Sequence, residues 1–293
     1  MSAGANRLAL GTAQFGLRYG VANDSGQVSA AVVATILGRS RAAGMDTLDT
    51  AAGYGSSEAC LGTVGVSDWH VITKLPALPN DVVDVSQWVE VQLLGSLRRL
   101  AVARLDALLL HQPADLHGPH GRQLMEALEF HRMKGRTRSL GVSIYDPAEL
   151  DAIYEVWKPD IVQAPCNVLD RRLIRSGWLE RLNRTGVRVH IRSIFLQGLL
   201  LMSASRRPAR FKPWCELLDR WVRWCAANEK APLVAALGFG HSIPGVERIV
   251  VGVDSAMQLE EILTASAAEG AAVPEEFSST DRDLIEPSRW RPQ

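Results

Sequence analysis

The feature that most constrains the fold is the alternation of short apolar runs with longer segments of helical periodicity along the chain of 293 residues. Such an alternation is typical of parallel β-strands joined by crossover helices. The predicted strands are 8–11, 47–50, 71–75, 107–111, 140–144, 161–164, 187–194 and 249–253. Eight strand–helix units predict an α/β protein, a single (β/α)8 TIM barrel, for which about 250 residues are typical.

The helical segments between the predicted strands are consistent with one continuous domain. Helical spacing is found at 30–43, 85–100, 122–133, 147–156, 214–227 and 256–265. An open doubly wound sheet is the alternative, but the G-x-G-x-x-G turn of dinucleotide-binding sheets is absent. No linker-like composition interrupts the chain. We therefore expect one barrel domain over 1–293, with the polar segment 267–293 lying near the barrel mouth.

Composition argues against several classes of function. Thirty-two basic residues balance thirty-two acidic ones, so no net positive field recruits nucleic acid or an anionic membrane. No apolar stretch reaches the roughly 18 residues of a membrane span, and the N-terminus lacks the pattern of a signal peptide. No C-x-x-C pair and no metal-ligand spacing occurs among the histidines and cysteines. We expect a cytoplasmic protein acting on a small molecule, without metal, nucleic acid or membrane, and its oligomeric state is left open.

Four polar residues near the ends of predicted strands suggest a reaction centre. Asp49 and Tyr54 lie in Asp-Thr-Ala-Ala-Gly-Tyr-Gly at 49–55, Lys74 lies near the end of the third strand, and His111 closes the fourth. In a barrel of this kind the C-terminal ends of the strands form the reaction face. The four side chains are therefore expected to meet on one rim.

These residue types suit proton donation to a carbonyl oxygen. Tyrosine is a weak acid at neutral pH, with an ordinary pKa of about 10. A lysine held by a carboxylate is expected to favour the phenolate and lower that pKa, while a histidine polarises the carbonyl. The alternative is a structural role, in which Lys74 only neutralises the buried Asp49 and His111 is a hydrogen-bonded residue at the core edge.

The same motifs resemble those of the aldo-keto reductases over nearly the whole chain. The resemblance runs from Gly-Thr-Ala-Gln-Phe-Gly at 11–16, through the segment at 49–55, to Val-Val-Gly-Val-Asp-Ser at 250–255. It implies a TIM barrel that reversibly reduces aldehydes or ketones with NADPH or NADH. It also implies that Tyr54 is the general acid, that Asp49 and Lys74 form the ion pair that activates it, and that His111 orients the carbonyl.

The resemblance implies a set of residues at the nicotinamide end of the cofactor: Gly11, Thr12, Asp49, Ser143, Gln163, Arg192, Phe195, Gln197 and Gly198. Several positions depart from the family pattern, among them Cys166, which stands where a tyrosine is common. Ile144 stands where asparagine usually follows the serine, and Arg192 stands where an aromatic ring usually stacks on the nicotinamide. A guanidinium also stacks on a ring, but it repels a positively charged one. We therefore expect the reduced cofactor to bind more tightly than the oxidised form.

At the adenosine end, the resemblance implies Gly252, Asp254, Ser255, Gln258 and Glu261 after the eighth strand, and Arg206 on a basic loop after the seventh. The family habit favours NADPH. Asp254 favours NADH instead, because a carboxylate repels a 2′-phosphate and accepts from a ribose hydroxyl.

Two other functions stay open on the same scaffold. One is a regulatory protein that binds the cofactor without rapid turnover, as in relatives associated with channels. The other is a lyase or aldolase in which Lys74 forms a Schiff base. Segments at 169–173 and 193–200 are similar to those of bacterial family members of sugar metabolism, which suggests a sugar-derived carbonyl as substrate.

Overall fold

The computed structural model describes residues 4–270 and 272–290. Eight parallel strands close into a barrel in sequence order. They are β1 (Leu8–Gly11), β2 (Thr47–Asp49), β3 (His70–Leu75), β4 (Leu105–Leu110), β5 (Thr137–Ser143), β6 (Ile161–Pro165), β7 (Arg188–Arg192) and β8 (Arg248–Gly252). The barrel closes where β1 pairs with β8, with Gly11 opposite Gly252. The predicted (β/α)8 barrel is confirmed.

Helices surround the barrel. They are α1 (Ala13–Gly16), α2 (Ala30–Ala42), α3 (Ser57–Val64), α4 (Val85–Leu100), α5 (Gly121–Met133), α6 (Glu149–Val156), α7 (Arg172–Arg175), α8 (Trp178–Arg184), α9 (Cys215–Ala227), α10 (Pro232–Ser242), α11 (Ala256–Ala267) and α12 (Arg282–Ile285). Short 3₁₀ segments cover Ala5–Arg7, Pro113–His117, Leu196–Leu201, Ala204–Arg206, Ala209–Trp214, Glu275–Phe277 and Pro287–Arg289. Of the helices in the described ranges, none has the length and apolar character of a membrane span.

The pleat of the strands divides the apolar side chains between two cores. Ile72, Ala107, Leu109 and Ile161 form a small cluster within the barrel. A much larger cluster lies between the outer face of the strands and the helices, and it includes Leu8, Leu48, Val71 and Leu108. Because successive residues of a strand point to opposite faces, nearly continuous apolar strands supply both cores at once.

The strand predictions place every strand correctly, with ends that shift by at most three residues. The seventh strand ends at Arg192, two residues before the predicted end, because Ser193 adopts a left-handed conformation with φ 61°. The sixth helix begins at Glu149 and not at Pro147. Asp146 accepts a hydrogen bond from the backbone N–H of Ala148 at 3.0 Å, so it stabilises the turn before the helix.

Besides the four-residue helices α1, α7 and α12, three longer helices have no counterpart among the predicted helical stretches: α3, α8 and α10. The first two have eight and seven residues, too few to establish a period of 3.6 residues. The third, Pro232–Ser242, is apolar on nearly all sides and contains two glycines, so it shows no polar face. Five of its residues are buried, which explains the lack of a polar face.

The C-terminal segment packs on the loops and helices that follow β6 and β7. Arg171 donates to the carbonyl oxygens of Val273 and Pro274 at 3.1 and 2.7 Å. Phe277 is buried, and its ring centroid lies 5.7 Å from those of both Trp221 and Trp224. The location of this segment near the barrel mouth stays a prediction. Ala271 and 291–293, which also belong to the predicted mouth segment, lie outside the described residues.

Replacing Phe277 with alanine should destabilise the protein, because it leaves a cavity beside the two stacked rings of Trp221 and Trp224. We expect a loss of about 3–4 kcal/mol in the free energy of unfolding, measured by urea denaturation. Met257→Ala is the control, because its side chain is 70% exposed and its loss should change the stability by less than about 0.5 kcal/mol. Equal effects of the two substitutions would contradict this account of the segment.

Candidate active site

Polar side chains from six strands meet at one rim of the barrel. Asp49, Ser143 and Arg192 are the last residues of β2, β5 and β7, Lys74 is the next-to-last residue of β3, and His111 follows β4 directly. Gln163 in β6 pairs in register with Ser143. The interior face of a barrel is apolar, so polar side chains are accommodated where the strands end and solvent begins. The structure thus brings together the residues that the sequence predicted for this rim.

A buried ion pair lies at the base of the site. The Lys74 Nζ donates to both carboxylate oxygens of Asp49 at 2.8 Å and to the carbonyl oxygen of Thr50 at 2.9 Å. Both charged side chains are nearly inaccessible to solvent. Burial lowers the pKa of the Lys74 ammonium, and the Asp49 carboxylate opposes that shift. The pair is stable because each charge is compensated by the other, and the hydrogen bonds satisfy all three ammonium donors.

A hydrogen-bond chain extends this ion pair to two residues predicted to contact the cofactor. The Gln163 amide donates to Asp49 Oδ1 at 2.6 Å, and the Ser143 hydroxyl donates to Gln163 Oε1 at 3.3 Å. Both side chains are buried. The Gln163 amide therefore fixes the orientation of the Asp49 carboxylate.

Tyr54 is positioned by a tight turn between β2 and α3. Its backbone N–H donates to the carbonyl of Ala51 at 3.0 Å, and its carbonyl accepts from the N–H of Ser57 at 3.0 Å. Gly16 approaches this turn so closely that an added Cβ would stand 1.8 Å from the Tyr54 carbonyl oxygen. Gly55 adopts φ 54°, and a Cβ there would stand 2.4 Å from the Gly16 carbonyl oxygen. Both glycines are required for the position of the phenol.

The Tyr54 ring stands between the ion pair and an imidazole. The Lys74 Nζ lies 5.2 Å from the centroid of the phenol ring. The ring centroids of Tyr54 and His111 are 5.9 Å apart, in a T-shaped arrangement. The His111 backbone N–H donates to the carbonyl of Leu75 at 3.2 Å, which continues the sheet pairing one residue beyond β4. The four residues predicted for catalysis therefore form one cluster.

The acidity of Tyr54 differs from the expectation. Burial and the Asp49 carboxylate raise the pKa of the Tyr54 phenol well above its usual range, while the Arg192 guanidinium lowers it. The expected lowering by Lys74 is not found. Burial and the cations of Lys74 and Arg192 lower the pKa of His111 to about 4. At neutral pH the site thus holds a protonated phenol and a neutral imidazole.

Arg192 carries a positive charge at the end of β7. Its guanidinium lies over the Tyr145 ring at 4.6 Å from the centroid. It donates to the Ile144 carbonyl at 3.0 Å and to the Ser193 hydroxyl at 3.3 Å. Among the residues that the structure describes, no carboxylate pairs with it. Tyr145 was not predicted as a site residue, although its place just beyond β5 satisfies the same strand-end rule that identified the others.

The residues predicted near β1 and after β7 also make contacts that hold neighbouring loops together. The Thr12 hydroxyl donates to the Asp49 carbonyl at 3.0 Å and accepts from Ser57 at 2.9 Å. Phe195 is buried in the large core. Gln197 donates to the Tyr19 hydroxyl at 3.3 Å, and an added Cβ on Gly198 would stand 2.5 Å from the Ala22 Cβ. The loop after β7 therefore rests on the loop after β1.

The residues predicted for the adenosine end surround the start of α11. Ser255 caps that helix by accepting from the Gln258 N–H at 3.1 Å, and Gln258 accepts from the Asp254 N–H at 2.8 Å. Asp254 also accepts from the Asn23 amide at 3.0 Å. Gly252 is the last residue of β8, and an added Cβ there would stand 2.5 Å from the Gln14 side-chain nitrogen. Glu261 is exposed on α11.

The basic loop after β7 is already ion-paired. Arg206 pairs with Asp24, and Arg207 pairs with Asp219 at 2.5 Å. The Asp24 partner was not apparent from the sequence, because it lies 182 residues from Arg206 along the chain. Within the described ranges, no cluster of histidine, cysteine or acidic side chains is arranged to hold a metal ion.

Comparisons with known proteins agree with this architecture. The model of the aldo/keto reductase family matches residues 7–282. The aldo-keto reductase AKR11C1 from Bacillus halodurans, in its holo form, superposes with a TM-score of 0.73 and 19% identity, over 97% of this chain and 95% of that one. PA4992 from Pseudomonas aeruginosa, assigned by its description to the aldo-keto reductases, superposes with a TM-score of 0.65 and 21% identity, over 89% of each chain. A search of curated protein sequences gave no match.

The lowered pKa of His111 should make stability depend on pH. Histidine in the unfolded chain titrates near pH 6.5, whereas His111 in the folded protein titrates at about 4. Between these values the unfolded state binds one more proton, so stability falls as the pH falls. Relative to His111→Gln, the wild type should lose about 2–3 kcal/mol between pH 7 and 4.5, measured by urea unfolding. An imidazole NMR titration of His111 centred at pH 6.5 or above would contradict the assignment.

Proposed function

The chain belongs to the aldo/keto reductase family, a family of oxidoreductases that act on carbonyl groups, and we propose that it reduces aldehyde or ketone groups with a reduced nicotinamide cofactor. The observation that carries the proposal is the cluster of one phenol, one buried ion pair and one neutral imidazole at the rim. Each group matches a need of carbonyl reduction, in which the oxygen acquires a proton as the carbon is reduced.

In the proposed mechanism Tyr54 is the general acid. Its raised pKa keeps the phenol protonated at neutral pH, so the proton is present when the substrate arrives. Neutral His111 donates one ring N–H to the carbonyl oxygen and orients it toward the phenol, and it is not itself a cation at this pH. Proton transfer leaves a phenolate, which the surrounding positive charge stabilises.

The residues at the rim are suited to a nicotinamide dinucleotide. When bound, the cofactor supplies the hydride equivalent, and the protein supplies orientation and electrostatics. Ser143 and Gln163 are polar groups beside the reaction centre, with the amide of Gln163 held in place by Asp49. The N-terminus of α11, which has 12 residues and is capped by Ser255, favours a phosphate group through its dipole and the N–H groups of its first turn.

The preference for NADPH or NADH depends on the charged side chains around the site predicted for the adenosine end of the cofactor. For NADPH, the family habit and the basic loop that holds Arg206 provide the argument. For NADH, the argument is that Arg206 is already paired with Asp24 and that Asp254 lies beside Asn23. Our proposal keeps NADPH as the preferred cofactor and NADH as the alternative.

The side chains at the barrel mouth suggest a class of substrate. Tyr19 is 39% exposed, and the Tyr145 ring beneath Arg192 is also partly accessible. Aromatic faces and hydrogen-bond donors together suit a polar carbonyl compound, such as one derived from a sugar. A Schiff-base reaction at Lys74 is disfavoured, because the amine would have to break three hydrogen bonds and leave Asp49 unpaired in a buried site.

Tyr54→Phe should abolish most of the carbonyl reduction while leaving cofactor affinity unchanged. Removing the general acid is expected to lower kcat/KM by about 10²–10⁴-fold in an assay of cofactor oxidation with a panel of aldehydes. Tyr154→Phe is the matched control, because that hydroxyl is buried away from the rim and has no hydrogen-bond partner in the described residues. Full activity of Tyr54→Phe would rule out the assigned acid.

The reduced cofactors should bind more tightly than the oxidised ones. Arg192 is an uncompensated cation near the place implied for the nicotinamide, and it repels a positively charged ring. Fluorescence titration with NADPH, NADP⁺, NADH and NAD⁺ should give an affinity ratio of roughly tenfold for each pair, equivalent to about 1.4 kcal/mol. Arg192→Phe, which restores an aromatic ring, should bring the ratio toward one. Equal affinities in the wild type would contradict the prediction.

A further inference from the structure

A buried carboxylate close to the reaction centre has no part in the proposed chemistry. Glu58 is the second residue of α3, four residues after Tyr54, and only 2% of its surface is exposed. A carboxylate removed from water is costly unless it is paired and hydrogen-bonded. The side chains that compensate Glu58 therefore indicate what it does in the structure.

Two side chains from different elements compensate Glu58. The Thr73 hydroxyl on β3 donates to Glu58 Oε1 at 2.6 Å. The Arg99 guanidinium on α4 donates from Nε to Oε2 at 2.8 Å, and its Nη2 lies 2.7 Å from the same oxygen. Thr73 is fully buried, whereas the Arg99 side chain is 42% exposed. Glu58 thus joins the start of α3 to both α4 and the barrel, and the bond to the barrel is the one from Thr73.

The bond from Thr73 holds the strand position next to Lys74. Successive residues of a strand point to opposite faces of the sheet. Lys74 points toward the ion pair at the rim, so Thr73 points outward to the layer of helices. Val71 and Leu75, which share that outward face, belong to the large core. The Glu58 carboxylate therefore fixes α3 against the outer face of β3, at the residue that precedes the lysine.

The other end of this link is the turn that positions Tyr54. The Tyr54 carbonyl accepts from the N–H of Ser57, which directly precedes Glu58 in the chain. The Ser57 hydroxyl lies 2.8 Å from the Thr12 carbonyl oxygen and 3.1 Å from the Thr50 hydroxyl. Ser57 thus anchors the turn to the segments after β1 and β2, and Glu58 anchors it to β3. Both anchors are needed, because a turn held at one point is free to rotate about it.

We propose that Glu58 is a positioning residue that, through Thr73, fixes the place of the Tyr54 phenol relative to the Lys74 ammonium. The inference rests on the proposed function, in which Tyr54 gives its proton to the carbonyl oxygen. Glu58 takes no part in that transfer. Its carboxylate holds two chain segments, one with the acid and one with the lysine, at a fixed separation. A displacement of about 1 Å at a reaction centre costs up to roughly 10²-fold in rate.

The test compares Thr73→Val with Thr73→Ser. Valine has nearly the shape of threonine without the hydroxyl, so it removes the bond to Glu58, whereas serine keeps that donor. Thr137→Val is the matched control, because Thr137 is a buried threonine at the start of β5, at the end of the barrel opposite the rim. Its hydroxyl donates to the Ser139 carbonyl at 2.9 Å. Glu58→Ala removes the same bond from the side of α3, and urea denaturation gives the stability of each variant.

Two measurements report on the turn and on the reaction. Amide hydrogen exchange of Tyr54 and Ser57, followed by NMR without cofactor, should be about tenfold faster in Thr73→Val and Glu58→Ala, because loss of an anchor lowers the free energy of local opening. The same two variants should lose about tenfold in kcat with an aldehyde, while their cofactor affinity stays within about twofold of the wild type. Thr73→Ser should recover most of both losses, and Thr137→Val should match the wild type in both.

Wild-type exchange rates at Tyr54 and Ser57 in Thr73→Val would overturn the inference and leave Glu58 as a structural partner of Arg99. Faster exchange with unchanged kcat would also overturn it. So would an equal fall of kcat in Thr137→Val, since a general loss of stability would then be the cause. The exchange measurement needs neither cofactor nor substrate, so its failure is distinct from that of the proposed function, which fails if the wild type reduces no carbonyl compound.

Discussion

The buried ion pair between Asp49 and Lys74 is the interaction on which the rest of the site depends. Two charges removed from water are costly unless each is compensated and every donor is satisfied. Here the carboxylate accepts from Lys74 and Gln163, and the ammonium also reaches the Thr50 carbonyl. Since these groups belong to β2, β3 and β6, the pair links three strands at the rim. Breaking it would leave an unpaired charge at the centre of the barrel mouth.

The ion pair also defines what its neighbours do. The phenol of Tyr54 is buried beside the pair, and burial together with the Asp49 carboxylate favours its protonated form. The neutral form of His111 follows from the same burial, aided by nearby cations. A site with a protonated acid and a neutral hydrogen-bond donor is prepared for a carbonyl oxygen. Arg192 differs from Lys74 because it stacks on the Tyr145 ring and, within the described residues, pairs with no carboxylate.

Much of this arrangement was predictable from the chain. The alternation of apolar runs and helices predicts the barrel, and the strand-end rule brings Asp49, Lys74, His111 and Arg192 to one rim. The acidity of Tyr54 was predicted with the wrong sign, because the sequence does not show that three acceptors surround the Lys74 Nζ. In the same way, the ion pair of Arg206 with Asp24 joins loops 182 residues apart. Sequence spacing carries no information on such a contact.

The sequence by itself determined the barrel, the order of its strands, and which residue types reach the reaction face, because apolar periodicity and strand ends are local properties. Only the tertiary structure decided which cations are compensated and which are not. Compensation depends on distances of 3 Å or so between groups on different strands, at the range where hydrogen bonds form. Thus Lys74 and Arg192 are equivalent charges in the sequence, whereas in the folded protein one is neutralised and the other is not.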